Sequence, residues 1–165
     1  MNTEEIKKYT IVIKTGNKNF SYKPSIISEN EVFRWIKYSL VIKEDLNAML
    51  LCNKISIHSC ILKTHEYCEI ILKTIGIKYY KLIHKTHLTK RIALIFKISI
   101  DESLLSTLSY LDSYFENNRY PIMEQDIQFG KEDLLNFVED FDKSLKTYYQ
   151  RLSENKKSIE KIKLI

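Results

Sequence analysis

Ser56-Ile57-His58-Ser59-Cys60-Ile61-Leu62-Lys63-Thr64-His65-Glu66-Tyr67-Cys68-Glu69-Ile70-Ile71-Leu72-Lys73-Thr74-Ile75-Gly76 is the stretch whose reading decides the fold. Ile57, Ile61, Thr64, Cys68, Ile71 and Ile75 recur at steps of four and three, the spacing of one side of an α-helix. The pattern predicts a helix over 56–75, with Gly76 as its C-terminal stop.

Upstream, Ser28 is followed by Glu31, the form of a capping box, and a second helix is predicted to end near Asn53. Its stripe is Val32, Ile36, Ser39, Ile42, Leu46 and Met49, widened by Trp35 and Leu50. Further upstream the period changes. Residues 9–14 are rich in β-branched types, 15–18 are turn-forming, and 19–22 alternate polar and aromatic. That is a β-hairpin pattern, closed by Lys23-Pro24-Ser25. A hairpin alone is marginal in water, so it needs the bundle or a partner to pack on.

Downstream, a short helix is predicted over 88–96. Asp101 is placed to cap the next, whose face is Leu104, Leu108, Leu111 and Phe115 and which stops before Pro121. Residues 122–129 read as a connection. Leu134, Val138, Phe141, Leu145, Tyr148 and Leu152 form a last stripe, extended by Ile159 and Ile162. A continuous helix over 131–163 would be about 50 Å long and the longest of the set. Amphipathic helices with short links predict an all-α, antiparallel four- to five-helix bundle with an appended N-terminal β-hairpin. The hairpin extension is placed at 1–28 and the bundle at 29–165.

Composition agrees with a globular helical chain. Of 165 residues 44% are apolar and 28% charged, with only three Gly and two Pro to break helices. Cys52, Cys60 and Cys68 cannot all pair within one chain, the segment Met1 to Lys8 is charged and polar, and no apolar run is long enough to span a bilayer. The expectation is a cytoplasmic protein with free thiols and no membrane contact. The net charge is +5, almost all from Lys. Lys can meet nucleic-acid phosphate, and a Lys-rich composition can equally be a bias without function.

Motifs for bound phosphate, cofactor or metal are sparse. Three scattered Gly exclude a phosphate loop or dinucleotide fingerprint, and no Cys-x-x-Cys pair occurs. His84/His87 and His65/Cys68 have helical spacing, yet neither has a companion pair for zinc, so a polar loop and a partly buried helix face explain them. No cofactor and no metal are expected. Glu132 and Asp133 suit a helix start, and Glu139, Asp140 and Asp142 read as a solvated face. No nucleophile has an adjacent His and an orienting group. The polar segments 84–88 and 114–121 are two loops that can meet at one end of a bundle, a place for a ligand.

Taken in order, four short signals resemble the HEPN domain family. Trp35-Ile36-Lys37-Tyr38 with Asp45-Leu46-Asn47-Ala48 is similar to its first helix. His65 to Lys73, with Glu69 and Lys73 as Glu-x-x-x-Lys, is similar to its second. Lys85-Thr86-His87-Leu88 resembles its Lys-Thr-His-(Asp)-Leu signal, and Asn118-Arg119-Tyr120-Pro121 its Arg-Tyr-Pro signal. The resemblance spans about 31–152 and leaves the hairpin outside. It implies a four-helix core, a homodimer, association with nucleotide or RNA, and a nucleotidyltransferase partner in a toxin–antitoxin or defence-type system. It marks Trp35, Asp45, Glu69, Lys73 and Pro121 as motif residues. Lys85, His87, Arg119 and Tyr120 become the ligand contacts, cations for phosphate and an aromatic for a base.

Some relatives implied by that resemblance are metal-independent RNases with Arg, four to six residues, then His. None of Arg34, Arg91, Arg119 and Arg151 has a His at that spacing. Binding without catalysis is therefore the leading expectation, and no catalytic residue is assigned. Two alternatives stand beside it. One is a divergent RNase toxin using His87 with Arg119. The other is an interaction module that docks through the hairpin.

Overall fold

The computed structural model describes residues 10–15, 18–118 and 127–148. Strands β1 (Ile11–Thr15) and β2 (Lys18–Tyr22) pair antiparallel, Ile11 opposite Tyr22, and form the expected hairpin. Five helices follow: α1 (Glu29–Leu51), α2 (Ile57–Tyr80), α3 (Thr89–Ile95), α4 (Glu102–Asn118) and α5 (Lys131–Ser144). Two short strands, β3 (Ser25–Ile26) and β4 (Leu82–Ile83), also pair antiparallel. The protein is mostly helical, a bundle with an N-terminal hairpin.

The helix directions follow from their contacts. Val32 shares a cluster with Ile77, and the Cys60 thiol donates to the Met49 carbonyl at 3.7 Å, so α1 and α2 are antiparallel. His58 bonds Tyr114 and His65 bonds Asp112, so α4 runs back along α2. Asp142 meets both Lys43 and Tyr67, and Lys131 reaches the Cys52 carbonyl, so α5 opposes α1. The result is an up-down-up-down order through α1, α2, α4 and α5, with α3 crossing between α2 and α4.

The capping box before α1 is as the sequence predicts, and Ser56, read as the first residue of the next helix, is its N-cap. Ser28 and Glu31 exchange hydrogen bonds in a capping box, and the Ser56 side chain accepts from Ser59 N. The accepted bonds hold the Glu31 carboxyl below its ordinary range. The predicted stripes point inward: Ile42, Leu46, Leu50, Ile61, Cys68, Ile71, Ile75, Leu104, Leu108, Leu111, Leu134, Val138 and Phe141 are all buried. Each aliphatic side chain so buried contributes about 1.5–3 kcal/mol.

Several expectations need correction. Gly76 does not end α2, which continues to Tyr80 and turns at Lys81, a left-handed residue with φ 54°. Lys81 then accepts from Ile27 N at 3.0 Å as β4 pairs with β3. Gly76 is glycine because Phe96 crosses it: an added Cβ would stand 2.6 Å from Phe96 Cδ2 and nearer still to Cε2. The predicted longest helix, α5, ends at Ser144, and α2 with 24 residues is the longest described. Leu145 N bonds both Phe141 O and Asp142 O, and Tyr148 N bonds Leu145 O, which tightens the chain after Leu145. That turn lets Tyr148 OH accept from Ser99 N at 3.3 Å. Leu152, Ile159 and Ile162 lie outside the described residues.

His84, expected in a polar loop, is buried with its ring 5.9 Å from that of Phe96, because β4 draws the segment under α3. His65 and Cys68, expected to be partly buried, are fully buried because α2 is central and covered on nearly all sides. Asp142 is not part of a solvated face, since it accepts from Tyr67 OH and Lys43 between three helices. No helix among the described residues is long and apolar enough to cross a membrane. Cys52, Cys60 and Cys68 are free thiols, and burial pushes those of Cys60 and Cys68 up, Cys68 well above its ordinary range.

Candidate functional site

Helix α2 carries His65, Glu69 and Lys73 at successive steps of four, one above another on a single ridge. Lys73 Nζ donates to Glu69 Oε1 at 2.6 Å. Both groups are almost wholly buried, so each depends on the other for its missing solvation. The remaining valence of Glu69 goes to His87, whose Nδ1 lies 3.0 and 3.1 Å from the two carboxylate oxygens. A carboxylate only accepts, so His87 donates from Nδ1 and leaves a lone pair on Nε2.

His65 is held from the other side. Its Nε2 lies 3.1 Å from Asp112 Oδ1 on α4. The same carboxylate accepts from Thr89 N at 2.7 Å, Thr89 Oγ1 at 2.8 Å and Lys90 N at 3.1 Å. The cause is local. Helix α3 begins after Leu88, which has no side-chain oxygen to cap it. Asp112 supplies that acceptor from α4 and places negative charge at the positive end of α3. With Nε2–H given to Asp112, His65 Nδ1 is an acceptor, and it is buried without a hydrogen-bond partner.

The two imidazoles meet the same aromatic ring. His65 stacks on Phe115, centroids 4.3 Å apart and planes within 9°, and His87 lies 5.8 Å from it at 40°. Together they line a cavity of about 600 Å³ with Glu69, Lys63 and Glu66, while Met49, Leu62 and Ile70 form apolar wall. Lys63 bonds Glu66 at 2.9 Å and lies 3.8 Å from Asp45. The acids of the wall are thus matched by Lys63 and Lys73. The arrangement provides two ring nitrogens, each with a carboxylate behind it, in a mostly apolar recess. That is a geometry for accepting or passing a proton, or for hydrogen-bonding a flat polar ligand.

Of the residues marked in the sequence, Glu69, Lys73 and His87 come together here. Lys85 is exposed two positions before His87. Asp45 is exposed and only flanks Lys63, and Trp35 packs beside Ile27, Val32 and Ile77, away from the cavity. Arg119, Tyr120 and Pro121 lie outside the described residues. His65, Asp112 and Phe115 were not marked. The legible signals were the four-residue spacing of His65 with Glu69, and an Asp beside Leu111 on an otherwise apolar face. Phe115, read as core, is a cavity wall. Among the described residues no group of His, Cys, Asp and Glu is placed to hold a metal ion.

Compared with known proteins, the chain matches no family model, no curated protein and no solved structure.

Proposed function

We propose that this chain is a HEPN-like binding protein that takes a nucleotide or an RNA strand at the cavity between α2, α4 and the 84–88 segment. The observation that carries the reading is the hydrogen bond from His87 to Glu69, which Lys73 also holds. It joins two of the sequence signals, Lys-Thr-His-Leu and Glu-x-x-x-Lys, into one site. The apolar wall of Leu62, Ile70 and Phe115 suits the flat face of a base. His87 Nε2 and His65 Nδ1 are acceptors for its amino or ring N–H groups. Lys85, exposed two positions before His87, would meet a phosphate in this reading. A homodimer and a nucleotidyltransferase partner belong to the same reading.

Calorimetry with nucleoside phosphates and a short single-stranded RNA tests it. Binding is expected in one of these titrations, and His87→Ala should weaken it about tenfold, the loss of one good hydrogen bond to the ligand. No binding to any nucleotide or RNA by the wild-type protein would overturn the proposal.

The paired imidazole–carboxylate geometry favours a second reading, a divergent RNase in which His87 moves the proton. General acid–base catalysis uses an imidazole oriented by a carboxylate in this way. RNA cleavage in chelator that disappears in His87→Ala would support it. RNA left intact would exclude it and leave binding as the function.

A further inference from the structure

The chain has four histidines, and their surroundings sort them. His65 and His84 are each 1% exposed, so neither can carry a new covalent group without displacing its neighbours. His58 is half-buried, and its Nδ1 lies 2.7 Å from the neutral hydroxyl of Tyr114. His87 combines access with a charge behind it. Its side chain is 48% exposed, and its Nδ1 donates to the Glu69 carboxylate. Lys73, 2.6 Å from Glu69 Oε1, holds that carboxylate in place from within the core. An imidazole fixed by an acid, with the acid fixed by a third group, is how proteins ready a side chain to form a covalent bond.

Two consequences follow at the ring. Nδ1 carries the proton, so the lone pair is on Nε2. Once Nε2 bonds a new group and Nδ1–H stays, the ring is a cation, and the Glu69 carboxylate at 3.0 Å offsets that charge. The surroundings favour an anionic group there. Lys85 and Lys90 are exposed on either side of His87 in the chain, and neither has an ion-pair partner among the described residues. Glu66, the other acid of the cavity wall, is already matched by Lys63 at 2.9 Å.

We infer that His87 Nε2 is a phosphoryl-acceptor site, modified by a donor of the phosphoramidate class. The Nε2 lone pair forms the new N–P bond as the donor's P–N bond breaks. The bonding pair leaves with the donor nitrogen, which already carries its proton, as the free amine. No proton leaves His87, because Nδ1–H stays on Glu69. One N–P bond replaces another, so the step needs no further reactant. The inference stands apart from the ligand reading, since it needs no nucleotide and asks His87 for a bond rather than a hydrogen bond.

Phosphoramidate itself is the probe. The intact wild-type chain should gain one phosphoryl group by mass, labile in acid and stable in alkali as an N–P bond is. The rate should be about tenfold or more above that of N-acetylhistidine. Phosphorus NMR should place the group on Nε2, whereas a free imidazole offers both nitrogens. His87→Ala should gain none, and His58→Ala should react as the wild type does. Glu69→Gln combined with Lys73→Met removes both buried charges together, so that neither is left unpaired. With circular dichroism unchanged, this double variant should react about tenfold more slowly. It should also give some Nδ1 product, a change that a merely structural role of Glu69 would not cause. If the double variant does not fold, the nitrogen assignment in the wild-type chain decides the matter. The inference is overturned by a wild-type chain that gains no group, gains it on His58 or at Nδ1, or reacts no faster than N-acetylhistidine. A folded double variant that reacts as the wild type does overturns it as well. Nucleotide binding without phosphorylation would overturn it and leave the ligand reading intact.

Discussion

Two aspartates are brought against α2 by neighbouring helices, and their surroundings differ in one respect. Asp142, from α5, accepts from Tyr67 OH and from Lys43, and every polar atom in that group has a partner. Asp112, from α4, accepts from two backbone amides, a hydroxyl and His65, and the chain of bonds ends on a buried His65 Nδ1 with none. The first arrangement ties three helices and stops there. The second also ties helices, but it ends at a cavity wall with an acceptor in want of a donor. A closed hydrogen-bond account marks architecture. An open one, next to a recess of about 600 Å³, is where the proposed ligand would find a partner.

Removing each aspartate is the strongest way to test that contrast. Asp112→Ala strips α3 of its cap and takes the acceptor from two amides and an imidazole in a buried place, while the Thr89 hydroxyl keeps the Leu108 carbonyl, so a loss of about 3 kcal/mol is expected. Asp142→Ala leaves Lys43, which is partly exposed and can turn to water, and takes one acceptor from the buried Tyr67 hydroxyl, so with one buried donor affected rather than three it should cost about half as much. Urea denaturation of both variants measures the difference. Equal costs, or a larger cost at Asp142, would break the comparison.

His65→Phe sharpens it. The substitution deletes the unpaired Nδ1 and keeps a flat ring against Phe115, while Asp112 retains Thr89 and Lys90 as donors. Stability should change by less than about 1 kcal/mol, because a lost hydrogen bond is offset by the removal of an unsatisfied group. Binding at the cavity should fall about tenfold. A variant that binds as the wild type does would show that the open acceptor has no part in the site.

The smallest effect is at an exposed carboxylate. Glu31 has its carboxyl lowered from 4.5 by the backbone and side-chain hydrogen bonds of Ser28. A folded-state value below the unfolded one gives stability that is present above about pH 4.5 and is lost as pH falls through the folded value. Ser28→Ala removes the hydroxyl donor and keeps the backbone amide, so it should flatten that part of the acid denaturation profile only in part and change little near neutrality beyond the loss of the cap. A profile unchanged by the substitution would show that the Ser28 hydroxyl adds nothing to the backbone hydrogen bond.

The helices were legible because their signals are local. Ser28 with Glu31 announced the start of α1, and the apolar stripes of α1, α2 and α4 named most of the core. What failed was set by distant parts of the chain. Gly76 looked like a stop by propensity, yet the ring of Phe96 decides its identity. β3 and β4 are two residues each, too short to leave a pattern, and they end α2 all the same. At the site, Glu69, Lys73 and His87 were visible as motif residues. Asp112 was not, because its role is to cap a helix 22 residues upstream in the chain at Lys90.

That borrowed cap also fixes an order of events. Helix α3 has seven residues, and an isolated helix shorter than about 12–15 residues is marginal in water. Its first amides find their acceptor only on α4. The segment therefore becomes helical after α4 has docked on α2 and uncoils whenever α4 departs. In hydrogen exchange its amides should keep time with those of α4, although it precedes α4 in the chain.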